Sequence, residues 1–213
     1  DHRDLHSFPT RRSSDLERFK KTVQTVSYLP HFISLVVICG MIHDFTARDG
    51  IINDIVEWFG GERKTMLLEP GLFRPIYIIS GIWQNVGWDS IIYLAALSSI
   101  DQELYEAAVI DGANRWKQTL HITLPGILPT IVILLIMRIG AMMNVGHEKI
   151  ILLYNSNIYE TADVISTFVY RKGLSQANYS YSAAVGLFNS IVNFVLIILA
   201  NWFSRKATEI SLW

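Results

Sequence analysis

Four stretches of this 213-residue chain are nearly free of ionisable side chains. Residues 22–42, TVQTVSYLPHFISLVVICGMI, contain no Asp, Glu, Lys or Arg, and residues 173–204 contain none either. Residues 75–100 contain only Asp89, and residues 126–146 only Arg138. A helix needs roughly 20 mainly apolar residues to cross the hydrocarbon core of a bilayer, and each stretch is long enough. Buried helices of a soluble protein are the alternative, but Trp and Tyr near the ends of the runs suit the two interfaces of a membrane. Charged residues make up 17% of the chain, against about 25% in an average soluble domain. The expected fold is therefore all-α, a polytopic bundle of about four transmembrane helices.

The remaining composition excludes more than it assigns. A net charge of −1 gives no basic field for nucleic acid. Cys39 is the only cysteine, so it forms no intramolecular disulfide and is expected to pack. Residues 1–16, DHRDLHSFPTRRSSDL, are polar, lack an initiating Met and resemble a translated adapter scar. They are set aside as non-native or disordered, which leaves 17–213 to carry the fold and implies a missing native start. Arg18, Lys20 and Lys21 precede the first run, and Arg205 and Lys206 follow the last. Basic flanks favour the cytoplasm, so residues 101–125 are expected inside and residues 43–74 and 147–172 outside. The first outer segment contains RDGIINDIVEWFGG, whose Ile51, Ile52, Ile55, Val56 and Phe59 recur at helical spacing before Gly60-Gly61. It reads as a short helix lying at the outer surface, or as an ordered loop with one packed face.

Between two apolar runs stands EAAVIDGANRWKQTLHITLPGILP, residues 106–129. Asp101 can cap a helix beginning at Gln102, and Glu103 suits its positive end. Gly112 falls where a left-handed stop is needed. NRWKQTLHI can form a second short helix, which Pro125 is expected to end, while Pro129 opens the next span. The unit has no nucleophile–base pair, no metal-ligand spacing and no phosphate-binding glycine loop. At about 25 residues it is long for a bare connection. Its shape is that of a rigid knob whose small Ala107 and Ala108 let another surface approach.

The spacing Glu106-Ala107-Ala108, three residues, Gly112, nine residues, Ile122, one residue, Leu124-Pro125 resembles the cytoplasmic signature loop of permease subunits of binding-protein-dependent ABC importers. The longer run from SIIYLAALSSID to LLIMRIG, with VSYLPHFIS, NVGHEKIILLY and the terminal LW, resembles the sugar and oligosaccharide branch of the type I importers, over about 17–213. That resemblance implies a non-enzymatic channel subunit of a bacterial cell membrane. Its implied partners are a cytoplasmic ATPase dimer, a second permease and an extracellular solute-binding protein. ATP and Mg would sit on the ATPase and no cofactor on this chain. In this reading Glu106 makes a polar contact in the ATPase cleft, Ala107 and Ala108 permit close docking, and Gly112 sets the angle. Ile122 and Leu124 pack the second helix back on the bundle. Gln102 and His147 depart from the usual Pro and apolar aromatic, and about six spans are usual where four are read here.

For a solute path the candidates are Asp89, Arg138, Asn144, Asn189 and Asn193. Charges inside spans are costly and face protein or water, so Asp89 and Arg138 either pair across the bundle or line a polar path. Asn144 follows Arg138 on the same expected span. Ser182, Gly186 and Ser190 repeat every four residues, which suits close helix packing, with Asn189 and Asn193 as a neighbouring polar stripe that could also line a cavity. Trp83, Gln84, Asn85, Trp88 and Tyr93 suit stacking on sugar rings or interfacial anchoring equally. An ion-driven secondary transporter using Asp89 and Arg138, and a membrane-embedded enzyme, remain alternatives; for the latter, His31 is the one histidine clearly within a run.

Overall fold

Helices carry the chain from end to end in the computed structural model, which describes residues 10–212. Four long helices form a row: α1 (Thr10–Phe32), α4 (Pro70–Ser98), α7 (Leu124–Gly140) and α11 (Tyr179–Thr208). α1 packs on α4, α4 on α7 and α7 on α11. Residues 10–16, set aside on sequence grounds, belong to α1; residues 1–9 lie outside the described residues. Arg138 meets Asp89 and Gly126 meets Ile100, so α4 and α7 run antiparallel; Gly140 against Ile197 and Asn144 against Asn189 make α7 and α11 antiparallel too. Arg205 and Lys206 therefore lie at the same end of the row as the 101–125 loop.

Short helices build the rest: α2 (Leu35–Thr46), α3 (Ile51–Trp58), α5 (Gln102–Ile110), α6 (Arg115–Gln118), α8 (His147–Leu153), α9 (Tyr159–Ala162) and α10 (Ile165–Tyr170). The buried core lies where α2, α8 and the start of α4 converge, with Ile38, Cys39, Ile42, Phe73, Ile150, Leu153 and Ile158 closed from solvent. Along the long helices the reverse holds. Leu187, Phe188, Phe194, Leu199 and Phe203 of α11 are exposed, an apolar surface that water would disfavour and a bilayer would not.

Two expectations about the spans need correction. The run 22–42 is not one helix: it breaks at Ile33-Ser34, and the α1 segment meets the α2–α3 segment at 102°. Absence of charge sets no direction, and Pro30 already weakens the end of α1. By length and apolar composition alone, two helices among the described residues qualify as spans, Arg115–Gly140 and Tyr179–Thr208, or three if the bent pair forms one span. α4 has 29 residues, ample length, but Ser80, Gln84, Asn85, Asp89 and Ser90 make it charge-poor rather than apolar. Finally, α7 ends at Gly140, so Asn144 stands in the turn beyond the span and not on it.

The outer segment holds the expected α3, closed by Gly60 at φ 81°. Its anchor is a residue the apolar pattern did not mark. Asn53 is fully buried; its amide donates to Ala47 O at 2.6 Å and Lys64 O at 2.8 Å and accepts from Lys64 N–H at 3.1 Å. Further along, Arg171 grips Asp163 with two bonds of 2.9 and 2.6 Å. The guanidinium, aided by the Thr167 hydroxyl, holds the Asp163 carboxyl below its ordinary value against the opposing effect of burial. A carboxyl lowered in the folded state stabilises above its unfolded pKa and loses that contribution as pH falls through the folded one. Asp163→Asn should therefore lower the melting temperature of the purified protein at pH 7, and the gap should close below about pH 4. A gap that persists in acid would show that the ion pair is not its source.

Candidate functional site

The 101–125 loop is held by a set of local bonds. Asp101 accepts from Glu103 N–H at 3.0 Å and caps α5 as its spacing predicts. At the other end Gly112 takes φ 73°. Ala113 N–H reaches back to Ala108 O at 2.8 Å and Gly112 N–H to Val109 O at 3.0 Å, which satisfies the last carbonyls of the helix. Asn114 then caps α6 through Lys117 N–H at 2.9 Å, and the Gln118 amide donates to Ala113 O. A hydroxyl contact of 2.9 Å between Tyr105 and Thr123 ties the two arms.

Pro125 does not end the second helix. Arg115–Gly140 runs on as one helix through a wider π turn over Thr119–Thr123, where Leu124 N–H bonds Thr119 O five residues back. A proline removes one N–H and crowds the carbonyl of the preceding turn. The wider turn makes room, and the His121 ring and Thr119 hydroxyl bond the Lys117 and Arg115 carbonyls. The projecting loop is thus continuous with a span.

Of the seven motif residues, Glu106 and Ala107 are exposed, Ala108 and Ile122 half-buried, and Leu124 and Pro125 exposed, so Ile122 packs back while Leu124 does not. The tip carries a feature the motif does not include. Ile110 is 86% and Trp116 70% exposed, beside exposed Leu104 and Val109. Apolar side chains on an otherwise polar tip were the available signal for a covered surface.

The path candidates fall into two groups. Arg138 Nη2 donates to Asp89 Oδ2 at 2.6 Å, and both side chains remain open to a groove of about 530 Å³ that Tyr77, Asn85, Ser90 and Tyr93 also line. Trp88 instead stacks on His31 at 4.6 Å, and Trp83 lines a separate apolar cavity with Ile38 and Phe45. Asn144, Asn189 and Asn193 gather elsewhere. Asn189 donates to Asn144 Oδ1 at 3.3 Å, and Asn193 Oδ1 accepts from Met143 N–H at 3.3 Å, which fastens the turn after α7 to α11. The close approach on α11 is at Ser182 against Gly173, while Gly186 has open space.

Two residues the sequence reading missed matter here. A Cβ at Gly87 would run into the Ser27 carbonyl and reach within 3.0 Å of the Tyr28 ring, so this glycine sets the α1–α4 crossing. Lys149, within the segment 147–172 expected outside the membrane, is buried, its ammonium 5.2 Å over the Tyr77 ring. Among the described residues no three His, Cys, Asp or Glu side chains gather to hold a metal.

Comparison with known proteins follows the same lines. The family model described as binding-protein-dependent transport system inner membrane component matches residues 17–209. The polygalacturonan/rhamnogalacturonan transport system permease protein YteP of Bacillus subtilis is 46% identical over 192 residues, 90% of this chain and 60% of that protein. Protein LplB of the same organism is 43% identical, over 88% of this chain and 59% of its own length. The chain thus spans about 60% of the curated relatives it matches. A chain of a bacterial alginate ABC transporter, solved with an alginate pentasaccharide-bound periplasmic protein, superposes with a TM-score of 0.88 at 48% identity, covering 92% of this chain and 68% of that one.

Proposed function

The chain belongs to the family of binding-protein-dependent transport system inner membrane components, and from that premise we propose that it is the permease subunit of an ATP-driven oligosaccharide importer. It is a multi-pass component of the cell membrane. The carrying observation is the loop with the complete seven-position motif, locked by caps at both arms and continuous with the span Arg115–Gly140. Such a knob has no chemistry of its own. It can pass a movement of a docked partner into the bundle as a rigid-body displacement between two discrete states.

In this reading Glu106 and the apolar tip seat in a cleft of a cytoplasmic ATPase dimer, which binds ATP and Mg and hydrolyses the nucleotide. A second permease completes the channel, and an extracellular solute-binding protein delivers the sugar. The relatives named for polygalacturonan, rhamnogalacturonan and alginate transport support an oligosaccharide as the solute.

The full-length protein, assembled with these partners in proteoliposomes, should take up oligosaccharide only with ATP in the lumen that holds the ATPase. Collapse of the proton gradient should leave the rate unchanged. Uptake that follows the proton gradient and ignores ATP would instead favour an ion-driven carrier working through Asp89 and Arg138.

A further inference from the structure

Lys149 is 7% exposed, and its ammonium has no hydrogen-bond partner. Lysine is among the residues least often buried, and a buried cation is normally matched by an anion. Here no carboxylate of the described residues pairs with it, and the electron-rich face of Tyr77 is a weak substitute. The surroundings suggest where the missing anion comes from. The ammonium stands 3.7 Å from the point a Cβ on Gly81 would occupy. Gly81 and Tyr77 are both part of the wall of the groove that holds Asn85, Asp89, Tyr93 and Arg138. At Gly81 that wall carries no side chain, and the ammonium lies close behind it. The lysine stem is flexible along its four carbons, so the head can turn toward a ligand that enters the groove.

We propose that Lys149 is the counter-charge for a carboxylate on the transported sugar, and that the groove selects acidic, uronate-bearing oligosaccharides over neutral ones. The inference rests on the importer reading and refines its solute class. The Tyr77 and Tyr93 rings offer apolar faces to a sugar ring, and Asn85 offers an amide to its hydroxyls. Asp89 is already held by Arg138, so the groove does not present a bare carboxylate that would repel the anion. Lys149 supplies the one unmatched charge of the site, and its sign sets the preference.

The test compares galacturonate trimer with its carboxyl-reduced trimer, by equilibrium binding to the full-length assembled complex in nanodiscs without binding protein. The wild type should prefer the acidic trimer by about tenfold or more, the scale of a charge-assisted hydrogen bond. Lys149→Met, similar in length but uncharged, should bring the two sugars to within about twofold while leaving affinity for the neutral trimer unchanged. Its melting temperature should not fall, because an unmatched buried charge is removed. Lys149→Arg should keep the preference. An unaltered preference in Lys149→Met, or equal loss of both sugars, would overturn the proposal and leave Lys149 a packing residue. Binding of neither trimer by a complex that still shows ATP-driven uptake would also overturn it while the importer reading stands. Absence of ATP-driven uptake would remove the importer reading itself.

Discussion

Gly112→Val, in the full-length assembled importer, should abolish uptake and binding-protein-stimulated ATP hydrolysis while insertion and assembly stay at wild-type levels. A Cβ at Gly112 would meet nothing within 4 Å, so the substitution creates no clash with the surroundings. The whole effect comes from φ 73°, a region that costs an L-residue about 1–2 kcal/mol, and more for a β-branched one. The cheapest relief is to rotate the turn, which pulls Ala113 and Gly112 N–H away from Ala108 and Val109 and lets α6 swing on α5. Asn, which tolerates the left-handed region, separates conformation from size: Gly112→Asn should keep most of the activity. Glu106→Lys probes the same surface differently. The Glu106 side chain is exposed and makes no hydrogen bond within the loop, so the fold should persist while docking is opposed by the reversed charge. Wild-type uptake by both Gly112→Val and Glu106→Lys, at equal levels of complex, would reduce the loop to a connector.

Gly87→Ala should fail earlier, at assembly. The added methyl would overlap the main-chain carbonyl of Ser27 and press on the Tyr28 ring, and neither backbone can yield without separating α1 from α4. Overpacking of this kind typically costs about 1–3 kcal/mol, and a backbone neighbour places it at or above the upper end. The contacts beyond the crossing go with it: the His31–Trp88 stack at 4.6 Å and the 3.3 Å contact of His31 with Asn85 both span the same interface. The expected result is a severe drop in membrane-extracted, monodisperse protein. Smaller-to-larger compensation is available as a control, since Gly81→Ala on the same helix meets only the far end of Lys149 at 3.7 Å and should be tolerated. Normal yield and melting temperature for Gly87→Ala would mean that the two helices are not closely held there.

The local parts of the loop were legible in the sequence, because Asp101 and Gly112 act through bonds to neighbours at most a few residues away. The same holds for α3 and Gly60. Legibility ended where the deciding partner is distant in the chain. Gly87 reads as a weak spot in a helix until Ser27 is placed against it, and Lys149 reads as a surface charge until α4 and α2 close over α8. The break at Ile33-Ser34 escaped a count of charges, since both sides are equally greasy. Pro125 misled for a different reason: a proline usually stops a helix, but a change of hydrogen-bond spacing can carry the helix past it.

That change of spacing has a phasing consequence. Each residue advances a helix by about 100°, so the one extra residue taken up between Thr119 and Thr123 turns every later side chain by that angle relative to an uninterrupted α-helix. Arg138 reaches Asp89, Gly126 receives Ile100 and Gly140 receives Ile197 only in the rotated phase. The azimuth at which Trp116 leaves the rod, and the azimuth at which Arg138 leaves it some 20 residues on, are therefore set by one turn acting as a fixed angular offset. A deletion of a single residue within that turn would preserve both helices and every local cap, yet point the knob about a quarter-turn away from the direction the bundle now gives it.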